Sequence, residues 1–115
     1  MREHVSRQAV AISEALRSRG LRVALEIEQG VWNTEDFSLY DSYFTDCWPE
    51  RYPIQIRVST DGPARLSQLS VKLLWASSGG VFWLIGDPPE PPAINVRNPV
   101  ESVVGLTVGE MGLHR

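Results

Sequence analysis

The sequence predicts an α+β domain. An N-terminal amphipathic helix packs on a small, mostly antiparallel sheet of about four strands, and a short C-terminal helix or strand completes it. Three observations carry that expectation. Apolar residues recur at helical spacing near the N-terminus, they alternate with polar residues in two later stretches, and turn signals separate the strand-like runs. Length agrees, since 115 residues suit a single domain, residues 1–115, that folds without disulfides or a metal. A chain 43% hydrophobic and 22% charged falls in the globular range, which excludes disorder of the whole.

The helix is read over residues 3–19. Val5, Ala9, Ile12 and Leu16 form one apolar stripe. Arg17 and Arg19 suit the negative end of the helix dipole, and Gly20 provides a left-handed stop. Leu21, Val23, Leu25 and Ile27 then alternate with Arg22, Ala24, Glu26 and Glu28, as in a strand with one wet face, and Gly30 ends it. Over residues 33–46, Phe37, Tyr40 and Phe44 have helical spacing, with Asn33 or Thr34 as cap and Glu35 and Asp36 in the first turn, so a short helix is favoured over an acidic loop. Residues 48–53, WPERYP, are irregular, because each proline biases its predecessor away from the helical region.

Ile54, Ile56 and Val58 alternate with Gln55, Arg57 and Ser59, a second strand, and Thr60-Asp61-Gly62-Pro63 is a turn. Residues 64–78 carry two patterns. Leu66, Leu69 and Leu73 suit a helix, whereas Leu69, Val71, Leu73 and Trp75 alternate as a strand does. Ser77-Ser78-Gly79-Gly80 before the strand-like Val81–Ile85 favours a hairpin. Residues 87–92, DPPEPP, lack four backbone donors and read as an extended spacer, after which Ile94–Val96 adds a short strand. At the C-terminus, Asn98, Pro99 and Glu101 resemble a helix start, with Pro99 at the first helical position. Gly105 and Gly109 oppose a helix, and Val103, Val104 and Val108 equally suit a strand.

Chemistry by familiar motifs is not found. His4 and His114 stand at chain ends, which argues against a histidine-based catalytic or metal site. Cys47 is the single cysteine and has Asp46 and Trp48 as neighbours, so it reads as a structural thiol rather than a nucleophile. It also precludes an intrachain disulfide, consistent with a reducing cytoplasm. Ser78-Gly79-Gly80 precedes a strand-like run rather than a helix and does not resemble a phosphate loop. Glu26 and Glu28, with Asp36 or Asp41, offer the one carboxylate set with catalytic or cation-binding content, but their spacing matches no calcium loop. We therefore expect no catalytic, metal or cofactor site and a non-enzymatic protein.

The charged N-terminus lacks the apolar core of a signal peptide, and the longest apolar run, Val81–Ile85, is far short of a membrane span. The expectation is a cytoplasmic protein without a membrane partner. The net charge of −3 conceals an asymmetry. Residues 1–22 hold five arginines against two glutamates, whereas residues 23–50 hold seven carboxylates and no lysine or arginine. Those carboxylates would repel phosphate, so direct nucleic-acid binding is disfavoured.

Seven of the ten aromatic residues lie between positions 32 and 52. Some must plug the sheet. Tyrosine and tryptophan are nevertheless enriched at interface hot spots, and interleaved acids steer a basic partner towards them. The candidate partner-binding residues are Trp32, Glu35, Asp36, Tyr40, Asp41, Tyr43, Asp46, Trp48 and Glu50. They suit a basic protein such as a nuclease, a toxin or a nucleic-acid-binding protein, and in charge pattern and size the chain is similar to small acidic inhibitors, including toxin-immunity proteins. The alternative is a self-assembling structural or assembly-chaperone protein, a homodimer in its simplest form, pairing through a sheet edge at Val81–Ile85.

Overall fold

Strict alternation allows only one face of a strand to be buried against helices, and the three central strands obey it. The computed structural model describes residues 2–27, 54–75, 80–86 and 91–113. Its elements are α1 (Arg2–Arg17), β1 (Arg22–Ile27), β2 (Ile54–Ser59), β3 (Gln68–Trp75), β4 (Val81–Ile85), β5 (Ala93–Asn95) and α2 (Val100–Met111). The strands form one sheet in the order β1-β2-β3-β4-β5, with every neighbouring pair antiparallel. The expected class is what the chain adopts, with five strands instead of about four.

Both helices pack on the face that carries Ile54, Ile56, Val58, Leu69, Val71, Leu73, Val81, Trp83 and Ile85, all buried. The stripe read from the sequence supplies the helical side of this core, for Val5, Ala9, Ile12 and Leu16 are fully buried. Gly20, at φ +85°, ends α1 as expected. The Gly20 and Leu21 amides donate to the Arg17 and Leu16 carbonyls at 2.9 and 3.3 Å, the hydrogen-bond pattern of a Schellman turn.

The ambiguity over residues 64–78 is decided for the strand. Leu69, Val71 and Leu73 are buried, while Leu66, which a helix would have placed on their stripe, is exposed. β3 and β4 form the expected hairpin, Trp75 lying opposite Val81. Residues 76–79 lie outside the described residues, as do residue 28 at the end of the first predicted strand, the helix predicted over 33–46, the irregular stretch 48–53 and residues 87–90 of the proline-rich spacer.

Two expectations are corrected. Val81–Ile85 is not a sheet edge, because β5 pairs with it through Phe82↔Asn95, Trp83↔Ile94 and Leu84↔Ala93. At the C-terminus the open choice resolves to a helix, but Pro99 stands at the N-cap (ψ 149°) rather than the first helical position. Asn98 gives no side-chain cap and instead closes a turn, its backbone and side-chain N–H groups both donating to the Asn95 carbonyl. Burial of Val103, Val104, Thr107 and Met111 on one stripe outweighs the two glycines. The helix then ends in a second Schellman turn at Gly112, φ +69°.

Within the core one polar node is fully engaged. The Trp83 indole N–H donates to Gln8 Oε1 at 3.0 Å, and Gln8 Nε2 donates to the Val96 carbonyl at 2.8 Å. His4 Nε2 lies 3.0 Å from the same carbonyl. This node ties the first turns of α1 to β4 and to the turn after β5.

Candidate functional site

The sequence places its candidate surface between β1 and β2, and the register shows how that segment is anchored. Ile27 and Ile54, the described residues that bracket positions 28–53, are direct register partners. Both flanks of the acidic stretch therefore lie at one end of the sheet, on adjacent antiparallel strands. All nine candidate partner-binding residues, Trp32, Glu35, Asp36, Tyr40, Asp41, Tyr43, Asp46, Trp48 and Glu50, lie outside the described residues, as does Cys47.

The face of the sheet opposite the helices is the second surface to consider. Its side chains come from the polar positions of the same alternation. Across β1 to β3 they are Arg22, Ala24 and Glu26, then Gln55, Arg57 and Ser59, then Gln68, Ser70 and Lys72. On β3 and β4 the row turns apolar, with Leu74, Phe82 and Leu84 half-buried. A depression of about 450 Å³ opens over the polar half, lined by Arg22, Gln55, Arg57, Ser59, Gln68 and Ser70 among others.

The charges there are balanced pair by pair. Arg22 meets Asp61 at 2.7 Å and Arg57 meets Glu26 at 3.1 Å. Both pairs are well exposed, so each adds little to stability and is weakened by salt. Gln55 Nε2 donates to Ser70 Oγ at 3.4 Å, a long contact beside them. Chemically the depression offers amide, hydroxyl and guanidinium groups, with a carboxylate near each guanidinium. Glu26, considered above as part of a carboxylate set, is committed to Arg57, while Glu28, Asp36 and Asp41 lie outside the described residues.

Among the described residues, no three His, Cys, Asp or Glu side chains come together in a way that could hold a metal ion. No helix there is long and apolar enough to cross a membrane. His4 is occupied with the Val96 carbonyl at the start of α1, away from the depression.

Part of the polar face was legible, since Arg22, Ala24 and Glu26 were read on the wet face of the first strand and Gln55, Arg57 and Ser59 as the polar positions of the second. Its assembly was not, because which polar residues become neighbours depends on the register between strands.

The fold defines a small α+β protein, a five-stranded antiparallel meander with two helices on one face. Comparison with protein-family models, with curated proteins and with solved structures finds no match that would narrow this class further.

Proposed function

We propose that the chain is a non-enzymatic binding protein that docks onto or inhibits a basic protein partner through residues 32–52. The observation that carries the proposal is compositional. Residues 26–50 hold seven carboxylates and no lysine or arginine, and they overlap the stretch with seven of the ten aromatics. Carboxylates accelerate encounter with a basic surface and orient it, and aromatic side chains then hold the complex.

Two structural facts support this reading. The register pair Ile27↔Ile54 holds the two residues that flank positions 28–53 on adjacent strands of one sheet. Among the described residues the buried core is drawn from α1, α2 and the sheet, with Trp83 its one aromatic residue. A nuclease, a toxin or another nucleic-acid-binding protein has the basic surface required. The protein itself would not touch nucleic acid.

The test is affinity capture from native lysate. Wild type is compared with the combined variant Glu35→Gln, Asp36→Asn, Asp41→Asn, Asp46→Asn at two salt concentrations. A basic protein held by wild type, lost from the variant and released as salt rises supports the proposal, because exposed attractions are screened beyond about 8 Å at 0.15 M salt. Identical captures by both proteins, or retention indifferent to salt, would count against it.

A further inference from the structure

We propose that β1 is a self-complementary edge through which two copies of the chain pair, joining their sheets into one. This is independent of the docking role of residues 32–52. With β4 shown to be interior, β1 is one of the two outer strands among the described residues, and at six residues it is twice the length of β5.

The ladder shows which backbone groups face outward. The Thr60 amide donates to the Ser67 carbonyl across β2 and β3. In an antiparallel ladder alternate residues direct both backbone groups to the same side, so Val58, two positions earlier, also points to β3. Its register partner on β1 is Val23. Val23 therefore turns its N–H and C=O away from β2, towards the side of β1 on which no described strand pairs, and so does Leu25. The Arg17 side chain confirms the direction, since its Nη2 donates to the Val23 carbonyl at 3.1 Å.

Antiparallel pairing of this edge with its own copy requires residues of one face to lie opposite residues of the same face, which leaves few registers. With Ala24 on the two-fold axis, Val23 pairs with Leu25 of the second copy. Their outward groups exchange hydrogen bonds, and the apolar side chains meet over the helix-bearing face. On the other face Arg22 stands opposite Glu26 of the second copy, twice by symmetry. Shifting the register by two residues towards either end sets Arg22 or Glu26 against Ala24 and loses both charge pairs. The sequence RVALEI is thus complementary to itself in one register.

The neighbouring helix adds apolar surface on the same side. Arg17 faces the β1 edge, and Val10, seven residues earlier, lies on the same helical stripe. Val10 is 45% exposed, one of two large hydrophobic residues so exposed among the described residues. Arg17 also regulates the edge, for its guanidinium occupies an acceptor that the second copy's Leu25 amide would use. Charged side chains over an edge are a common restraint on such pairing. The contact area of one short strand and a helix flank is at the small end for protein interfaces, so the dimer is a weak and concentration-dependent one.

The test is sedimentation velocity of the full chain over a wide concentration range. Wild type should form a reversible dimer. Arg22→Glu and Glu26→Arg should each weaken it by about tenfold or more, because like charges then stand opposite at two places. The double variant Arg22→Glu/Glu26→Arg should recover the affinity, which mere loss of the Arg22–Asp61 and Glu26–Arg57 pairs would not allow. Arg17→Ala should tighten the dimer. Thermal melts of each variant separate misfolding from loss of pairing. Strictly monomeric wild type and Arg17→Ala protein at the highest concentration would overturn the proposal, as would a dimer indifferent to the charge changes or a double variant no better than the singles.

Discussion

The two faces of the sheet are built from neighbouring residues and obey different physics. On β2, Ile54, Ile56 and Val58 are buried beneath the helices, while Arg57, one position from Ile56, keeps 61% of its side chain exposed. The inner face is held by apolar burial and tolerates polar atoms only when they are fully paired, as at Gln8 and Trp83. The outer face carries its charges in exposed pairs whose worth is small and salt-dependent. Among the described residues, stability is thus concentrated on one side of the sheet.

The sharpest way to break this contrast is to change the charge on each side in turn. Ile56→Lys sets an unpaired ammonium among buried aliphatics and should abolish cooperative unfolding altogether. Arg57→Ala, at the adjacent residue, should change stability by less than about 1 kcal/mol, and by less still in high salt. Urea denaturation of the two variants checks both, and comparable losses would sink the division into faces.

Trp83→Ala comes next. It empties the largest fully buried side chain and should lower stability by about 3–5 kcal/mol in the same assay. Gln8→Leu is a finer probe, because it keeps the volume but strips the partner from the Trp83 indole and leaves the Val96 carbonyl to His4 alone. A loss of about 1–3 kcal/mol is expected. Wild-type stability in that variant would show that water replaces the amide.

A small effect of the opposite sign is expected at a glycine. Gly105 is exposed within α2, and a methyl group there meets nothing within 4 Å. Gly105→Ala should therefore raise stability by about 1 kcal/mol through helix propensity alone. Gly112→Ala should lower it, since that residue has φ +69° and its new methyl would sit 2.6 Å from Arg65 Cβ. Two glycines seven residues apart thus respond oppositely to one substitution, as melting temperatures would show.

Much of the fold was legible because local periodicity suffices for it. The stripe Val5, Ala9, Ile12 and Leu16 is buried as read, Gly20 stops the helix it was expected to stop, and the β2 alternation separates core from solvent. The C-terminal element was less legible because its valines and glycines favour other conformations locally. Packing of Val103, Val104, Thr107 and Met111 decides for the helix. Val81–Ile85 was misplaced at an edge because its partner, β5, is only three residues long and follows a proline-rich stretch that reads as a spacer. The polar node was invisible for a related reason, since nothing local ties Gln8 to a tryptophan 75 positions away. Of the candidate site, the acidic and aromatic composition was plain in the chain. The structure adds the pairing of its two flanks, Ile27 and Ile54.

By itself the sequence determined the class of fold, the identity of the first helix and of the main strands, and the separation of charge along the chain. These follow from side-chain periodicity and composition, which neighbouring residues define among themselves. Only the tertiary structure decided strand order, the pairing of the short fifth strand with β4, the outer position of β1 among the described strands and the meeting of Arg22 with Asp61 and Glu26 with Arg57. Those features depend on register between segments distant in sequence, and register is chosen by the joint burial of all the strands at once.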